Sequence, residues 1–230
     1  VWPAGPAAGP LGLRVRGVVV ALIGTDGSGK TTVAAQLDDR LRRLGLPTAS
    51  AYFGMGRGNL PGVALARRLL GVSKAAGPGH PVARTRDRPL LRRIAAWYYA
   101  GEYVWRYARF VAPQRWRRRV VLVDRWVYDL RESPWPESRA ATVICRIIPR
   151  PDILVLPDAP LGLIHARQPE RPYREQASEQ ERYRALLTER PAGVVELVVD
   201  TSGAGPDGLT RLVAAVVEAA HGPREDRRER

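Results

Sequence analysis

Eight consecutive residues have the types and spacing to hold a polyphosphate: Gly24-Thr25-Asp26-Gly27-Ser28-Gly29-Lys30-Thr31. They match G-x-x-x-x-G-K-[ST] in full. Glycines at these positions let the backbone curl until successive N–H groups point inward and form a nest for an anion. A helix that starts where the loop ends adds the partial positive charge of its N-terminus. Lys30 then reaches the β- and γ-phosphates, and the Thr31 hydroxyl can ligate Mg²⁺. Gly24, Asp26, Gly27, Ser28, Gly29, Lys30, Thr31 and Thr32 are the expected contacts to ATP. The lysine is informative in itself. Lys30 and Lys74 are the only lysines, and every other cationic side chain of the Lys/Arg class is arginine. Lysine is a compact point charge and arginine a wide planar fork, so a chain that avoids lysine yet places one in this loop needs the ammonium there.

A second pair, Asp124-Arg125, ends the apolar run Val120-Val121-Leu122-Val123. In a parallel sheet, ligands gather beyond the carboxyl ends of the strands. That places the pair in the same crevice as the phosphate loop. Asp124 could hold a magnesium-bound water or position an acceptor. Arg125 could grip an anionic group with both arms of its guanidinium. A structural ion pair at the strand end is the competing reading.

The elements that must hold these residues follow from hydrophobic period. Residues 14–23 read as a buried strand, residues 31–44 as a helix with Val33, Leu37, Leu41 and Leu44 on one face, and Gly45 as its C-cap. Further strands are expected at 47–53, 120–123, 152–156 and 194–199. Helices are expected at 65–70, 90–111, 138–148, from 161 to 167, at 179–187 and at 208–220. Residues 73–81 and 169–176 read as Gly/Pro-rich or Pro-broken connections. Strands alternating with helices predict a three-layer α/β/α domain around a parallel sheet. The domain is expected over 15–221, between a flexible tail at 1–14 and a disordered tail at 222–230.

Composition narrows the class. The 230 residues carry 45% hydrophobic side chains, enough for a real core. No apolar run approaches the roughly 18 residues of a membrane span, and the first residues lack the pattern of a secretory signal. A cytoplasmic location is expected. Cys145 is the only cysteine, so no internal disulfide can form; its apolar helical context reads as core. The net charge of +14 suggests anionic partners: nucleotides, nucleic acid or anionic lipid. The charge is nearly all arginine in a chain also rich in Ala, Gly and Pro, which equally fits a compositional bias with a solvated surface.

Together these segments resemble the thymidylate kinase family of nucleoside monophosphate kinases. The loop Gly24-Thr25-Asp26-Gly27-Ser28-Gly29-Lys30-Thr31-Thr32 looks like that family's. Asp124-Arg125-Trp126-Val127-Tyr128-Asp129 is similar to its D-R-Y-x-x-D pattern, and residues 151–158 look like its fourth strand. Arg167 and the run 169–183 occupy the place of its arginine-bearing lid and following helix. The resemblance covers residues 18–220. It implies a P-loop kinase fold with a five-stranded parallel sheet in the order 2-3-1-4-5, an ATP·Mg²⁺ donor and a small-molecule phosphate acceptor. It places Asp26 near the acceptor sugar or the metal, Arg125 on the acceptor phosphate, and Arg167 with Arg171 or Arg174 over the ATP phosphates. A lid at 167–178 would expel water as it closed.

The acceptor side departs from the family. Strand 2 leads into Tyr52-Phe53-Gly54-Met55-Gly56-Arg57-Gly58 where Arg-Glu-Pro is usual. The next helix reads Ala95-Ala96-Trp97-Tyr98-Tyr99-Ala100-Gly101-Glu102, and Trp126 stands in place of tyrosine. Arg57, Trp97, Glu102, Arg125 and Tyr128 are the candidate acceptor contacts. Surface arginine and helix core are the plainer readings of Arg57 and the aromatics. Transfer of the γ-phosphate of ATP to a nucleotide or nucleoside-like acceptor is the first expectation. A kinase for a sugar, a lipid-linked intermediate or a specialised metabolite is the second, and would need a general base such as Asp26 or Asp124. A nucleic-acid-binding P-loop NTPase is the third. The chain shows no RNP-type or helix-turn-helix signature, so nucleic acid is not expected. The assembly state is left open, a homodimer included.

Overall fold

The computed structural model describes residues 17–54, 72–73, 82–83, 89–132, 138–188, 193–203 and 207–221. Arg57, the expected helix at 65–70 and both expected tails lie outside them.

Five parallel strands form the sheet: β1 (Val18–Leu22), β2 (Thr48–Tyr52), β5 (Val120–Asp124), β6 (Ile153–Asp158) and β7 (Val195–Asp200). Their order is β2-β5-β1-β6-β7. Counted within this sheet alone, that is the expected 2-3-1-4-5. A separate antiparallel pair, β3 (Val72–Ser73) and β4 (Val82–Ala83), brackets the stretch read from sequence as a break.

β1 is buried at every position and divides the core by alternation. Val18, Val20 and Leu22 pack under α1 (Lys30–Arg43) and α7 (Asp207–His221), against Leu37, Leu41, Leu212 and Val216. Val19, Ala21 and Ile23 face the opposite layer, with Phe53, Tyr103, Trp126 and Ile144. That layer holds α2 (Pro89–Arg106) and α4 (Arg139–Ile147); α6 (Tyr173–Thr188) adds Tyr183 and Leu186 to it, and α5 (Leu161–Arg167) packs against α6. Trp126 lies flat on Phe53, with ring centroids 4.8 Å apart, and Tyr103 meets Phe53 edge-on. Trp126 therefore serves the core.

Three boundaries differ from the sequence reading for physical reasons. Leu44, expected on the apolar face of α1, is the residue after the helix and is 46% exposed. The helix expected to 111 is α-helical only to Arg106. A π segment (Tyr107–Val111) follows, then α3 (Ala112–Trp116). Pro113 has no N–H to give and its ring crowds the carbonyl one turn back, so the turn before it widens. The helix expected from 179 begins at Tyr173, because Pro172 is set for a first turn and its carbonyl accepts from the N–H groups of Glu175 and Gln176. The expected lid is thus a short turn at 168–172 entering a regular helix. Among the described residues no helix is long and apolar enough to cross a membrane.

Candidate active site

The loop between β1 and α1 curls because three of its glycines take positive φ: Gly24 (139°), Gly27 (89°) and Gly29 (94°). Gly29 is the N-cap of α1 and offers no side-chain acceptor to the first helical N–H groups. Those donors stay directed into the loop, where an anion can take them. Lys30 is buried beneath. Its Nζ donates to the carbonyls of Gly24 (2.8 Å) and Thr25 (2.9 Å) and to Asp26 Oδ1 (3.2 Å). Burial pushes the ammonium below its ordinary value, and Asp26 only partly offsets that. Thr31 and Thr32 are exposed at the first turn of the helix.

Asp26 is the centre of charge. Arg125 Nη2 donates to Asp26 Oδ1 at 2.7 Å, and Arg171 Nη1 lies 3.9 Å from Oδ2. Partial burial pushes this carboxyl up, but Lys30, Arg125 and Arg171 outweigh it and hold it below the usual range. Arg125 also donates to Asp129 (3.3 Å), which accepts from the Tyr183 hydroxyl (3.3 Å). Burial raises Asp129 above the ordinary carboxylate value, against the opposing charge of Arg125. Arg125 has φ 71°, an uncommon backbone for a residue with a side chain, of the sort kept where a side chain must be aimed. Gly54 makes room for it: a Cβ there would sit 2.6 Å from Arg125 Cδ.

Arg167 ties three segments together. It donates to the Gly27 carbonyl (3.1 Å) and to the Thr201 carbonyl (2.8 Å), while the Thr201 hydroxyl donates to the Ser28 carbonyl (2.8 Å). Arg171 is held by Glu179 at 2.6 Å. Arg174 is exposed on α6. Asp26, Gly27, Gly29, Lys30, Thr31, Thr32, Asp124 and Arg167 line one cleft of about 900 Å³. Gln168, Asp200, Thr201 and Gly203 are among the other residues that line it.

The expected acceptor residues are dispersed by comparison. Glu102 is 1% exposed and faces Arg106, also 1% exposed, at 2.7 Å; Arg106 in turn donates to the Tyr52 carbonyl. Trp97 is 48% exposed on α2, and Tyr128 packs against the core. Cys145 is half-buried in contact with the same core. The sequence reading missed Asp129, Tyr183 and Thr201 as partners of the site. Thr201 follows directly on β7, so the rule that exposed Asp124 and Arg125 at a strand end applied to it equally.

The donor set suits a phosphate and a divalent ion. Thr25 Oγ1, Ser28 Oγ, Asp124 Oδ1 and Arg171 Nε are buried without a hydrogen-bond partner. Such groups carry a desolvation cost that a ligand would relieve. Among the described residues no group of three or more His, Cys, Asp or Glu gathers to hold a metal alone, so an ion beside Asp124 and Thr31 would draw its remaining ligands from phosphate and water.

No family model matches the chain, and no curated protein matches it. Among solved structures, thymidylate kinase from Ehrlichia chaffeensis superimposes with a TM-score of 0.51 at 13% sequence identity, covering 88% of this chain and 98% of that one. The likeness at that identity is one of fold: the chain has a thymidylate-kinase-like arrangement of its sheet and helices.

Proposed function

We propose that the chain is an ATP-dependent phosphotransferase that moves the γ-phosphate to a nucleotide or nucleoside-like acceptor. The observation that carries this reading is the convergence of Lys30, the uncapped start of α1, Arg125, Arg167 and Arg171 around one loop whose buried polar atoms lack partners. Lys30 and the loop N–H groups hold the donor phosphates. Arg167 and Arg171 supply positive charge where the transferring group gathers negative charge on its outer oxygens. Mg²⁺, held by Thr31 and Asp124, would neutralise charge across the donor phosphates. Arg125 faces the acceptor's anionic group.

Asp26 favours a phosphate acceptor over a hydroxyl. Its carboxylate already accepts from two cations and is held well ionised, which makes it a weak base. A hydroxyl acceptor must lose a proton during transfer, whereas a phosphate oxygen need not. Asp26 therefore positions Arg125 and Lys30 and needs no proton.

The test offers purified protein ATP, Mg²⁺ and a panel of acceptors: thymidylate, the other nucleoside monophosphates, free nucleosides and several sugars. Products are detected by mass. We expect transfer to a nucleoside monophosphate and a loss of about 10²-fold or more in Lys30→Ala with the fold intact. Transfer confined to sugars would move the acceptor outside the nucleotides. Undiminished transfer in Lys30→Ala would end the proposal.

A further inference from the structure

The end of the sheet opposite the nucleotide cleft carries a feature that phosphotransfer does not use. α3 and α1 both stop there, and both stop in the same way. In α1 the N–H of Leu46 reaches the Leu41 carbonyl (3.0 Å) and that of Gly45 the Arg42 carbonyl (2.9 Å). In α3 the N–H of Arg119 reaches the Gln114 carbonyl (3.1 Å) and that of Arg118 the Arg115 carbonyl (3.0 Å). This paired closure requires a left-handed residue just past the helix, a place glycine fills at least cost. α1 uses Gly45 (φ 76°). α3 uses Arg118 (φ 58°). A chain with 22 glycines thus accepts strain at this one closure and gains an arginine.

That arginine stands in a row. Trp116 is 79% exposed, and Arg117, Arg118 and Arg119 are all exposed after it. Neither Arg117 nor Arg118 has an ion-pair partner among the described residues; buried Asp152 pairs with Arg115, and Asp38 and Asp39 near the end of α1 pair with Arg42 and Arg43. Arg119 and Val120 bond to Val18 and Pro47, so the N-terminal edges of β1, β5 and β2 meet at this point. Leu44 (46% exposed) precedes β2, and Ile147 (58% exposed) ends α4 on its way to β6 at the same edge.

We propose that this end docks on an anionic phospholipid bilayer. Arginines free of partners attract acidic headgroups. Tryptophan settles at the boundary between headgroup and acyl chain, and exposed aliphatic side chains gain by entering it. Single-stranded nucleic acid would bring the same phosphates, but it binds through successive aromatic platforms. Trp116 is the one exposed aromatic at this end among the described residues, and Leu44 and Ile147 offer a phosphodiester backbone nothing. Docking here leaves the cleft, at the other end of the strands, open to solution.

The full chain is mixed with vesicles of phosphatidylcholine alone, or with about a third phosphatidylserine, and pelleted. We expect it to pellet with the acidic vesicles only. Trp116→Ala, which changes no charge, weakens binding. Arg118→Gly weakens it roughly fivefold while raising the melting temperature, so loss of fold cannot account for the loss of binding. Arg118→Glu weakens binding far more than Arg211→Glu, an equal charge change at an exposed residue of α7 near the cleft end. Equal effects of the two charge reversals, indifference to Trp116, or no binding to acidic vesicles would each overturn the proposal. So would a single-stranded oligonucleotide that binds through Trp116 and Arg118 when acidic vesicles do not.

Discussion

At Asp26 a single carboxylate faces Lys30, Arg125 and Arg171. Its ionised form is favoured by the folded arrangement, so the native pKa lies below the unfolded value of 3.8. The sign follows from linkage. The stabilisation is complete above the unfolded value and is lost as pH falls through the lower native value. Asp26→Asn leaves the cations without their common counter-ion. Its melting temperature should fall below that of the unsubstituted chain at neutral pH, and the gap should begin to narrow only below about pH 4. Melting curves for both proteins between about pH 3 and 7 measure this; parallel curves throughout would remove Asp26 from the centre of the charge balance. The loop itself was legible because its residues are adjacent and each type has a backbone or charge reason. The contacts of Arg167 with Gly27 and of Arg125 with Asp26 were not, since 140 and 99 positions separate the partners. Nor was Glu102, whose neighbour one helical turn on, Arg106, takes its charge inside the core.

Two helix starts show how elements divide between stability and binding. α4 is closed by its own side chain: Ser138 Oγ accepts from the Ala141 N–H at 3.1 Å. α1 has no such cap, and its Gly29 leaves the donors open. Ser138→Ala should cost about 1 kcal/mol, read as a lower midpoint in urea, and phosphate should not restore it. Wild-type protein should gain midpoint from phosphate through α1 whether or not Ser138 is present. If phosphate repaired Ser138→Ala in full, beyond its effect on the unsubstituted chain, anion binding at α4 would have to replace the division drawn here. The α4 start was readable, since a serine before an apolar period is a helix signal. The ends at Arg106 and Tyr173 were not. Both turn on prolines, and a proline's position in a sequence does not say whether it widens, stops or starts a helix.

For the molecule as a whole, alternating strand and helix made the parallel sheet legible, whereas its strand order came only from the family resemblance and matches the order observed. The pair β3–β4 escaped notice, since strands of two residues have no period to read. The cleft is a property of this scale. Its walls come from the loop after β1, the end of β5, the turn after α5 and the turn after β7, so nothing smaller than the assembled sheet can form it. A ligand that spans those walls binds the native state and not the unfolded chain, and must raise the stability of the entire domain at once. ATP with Mg²⁺ at about a hundred times its Kd should add about 2.7 kcal/mol, seen as a single shifted melting transition. Arg167→Ala cuts the link from the Gly27 carbonyl to the Thr201 carbonyl. Because Arg167 is exposed, its loss should barely change the melting temperature of the free protein, yet it should shrink the shift that ATP produces. Scanning calorimetry with and without nucleotide separates the two quantities. An Arg167→Ala protein that melts early without ligand, but gains the full shift with it, would make Arg167 a brace of the fold and leave the nucleotide to Lys30 and the start of α1.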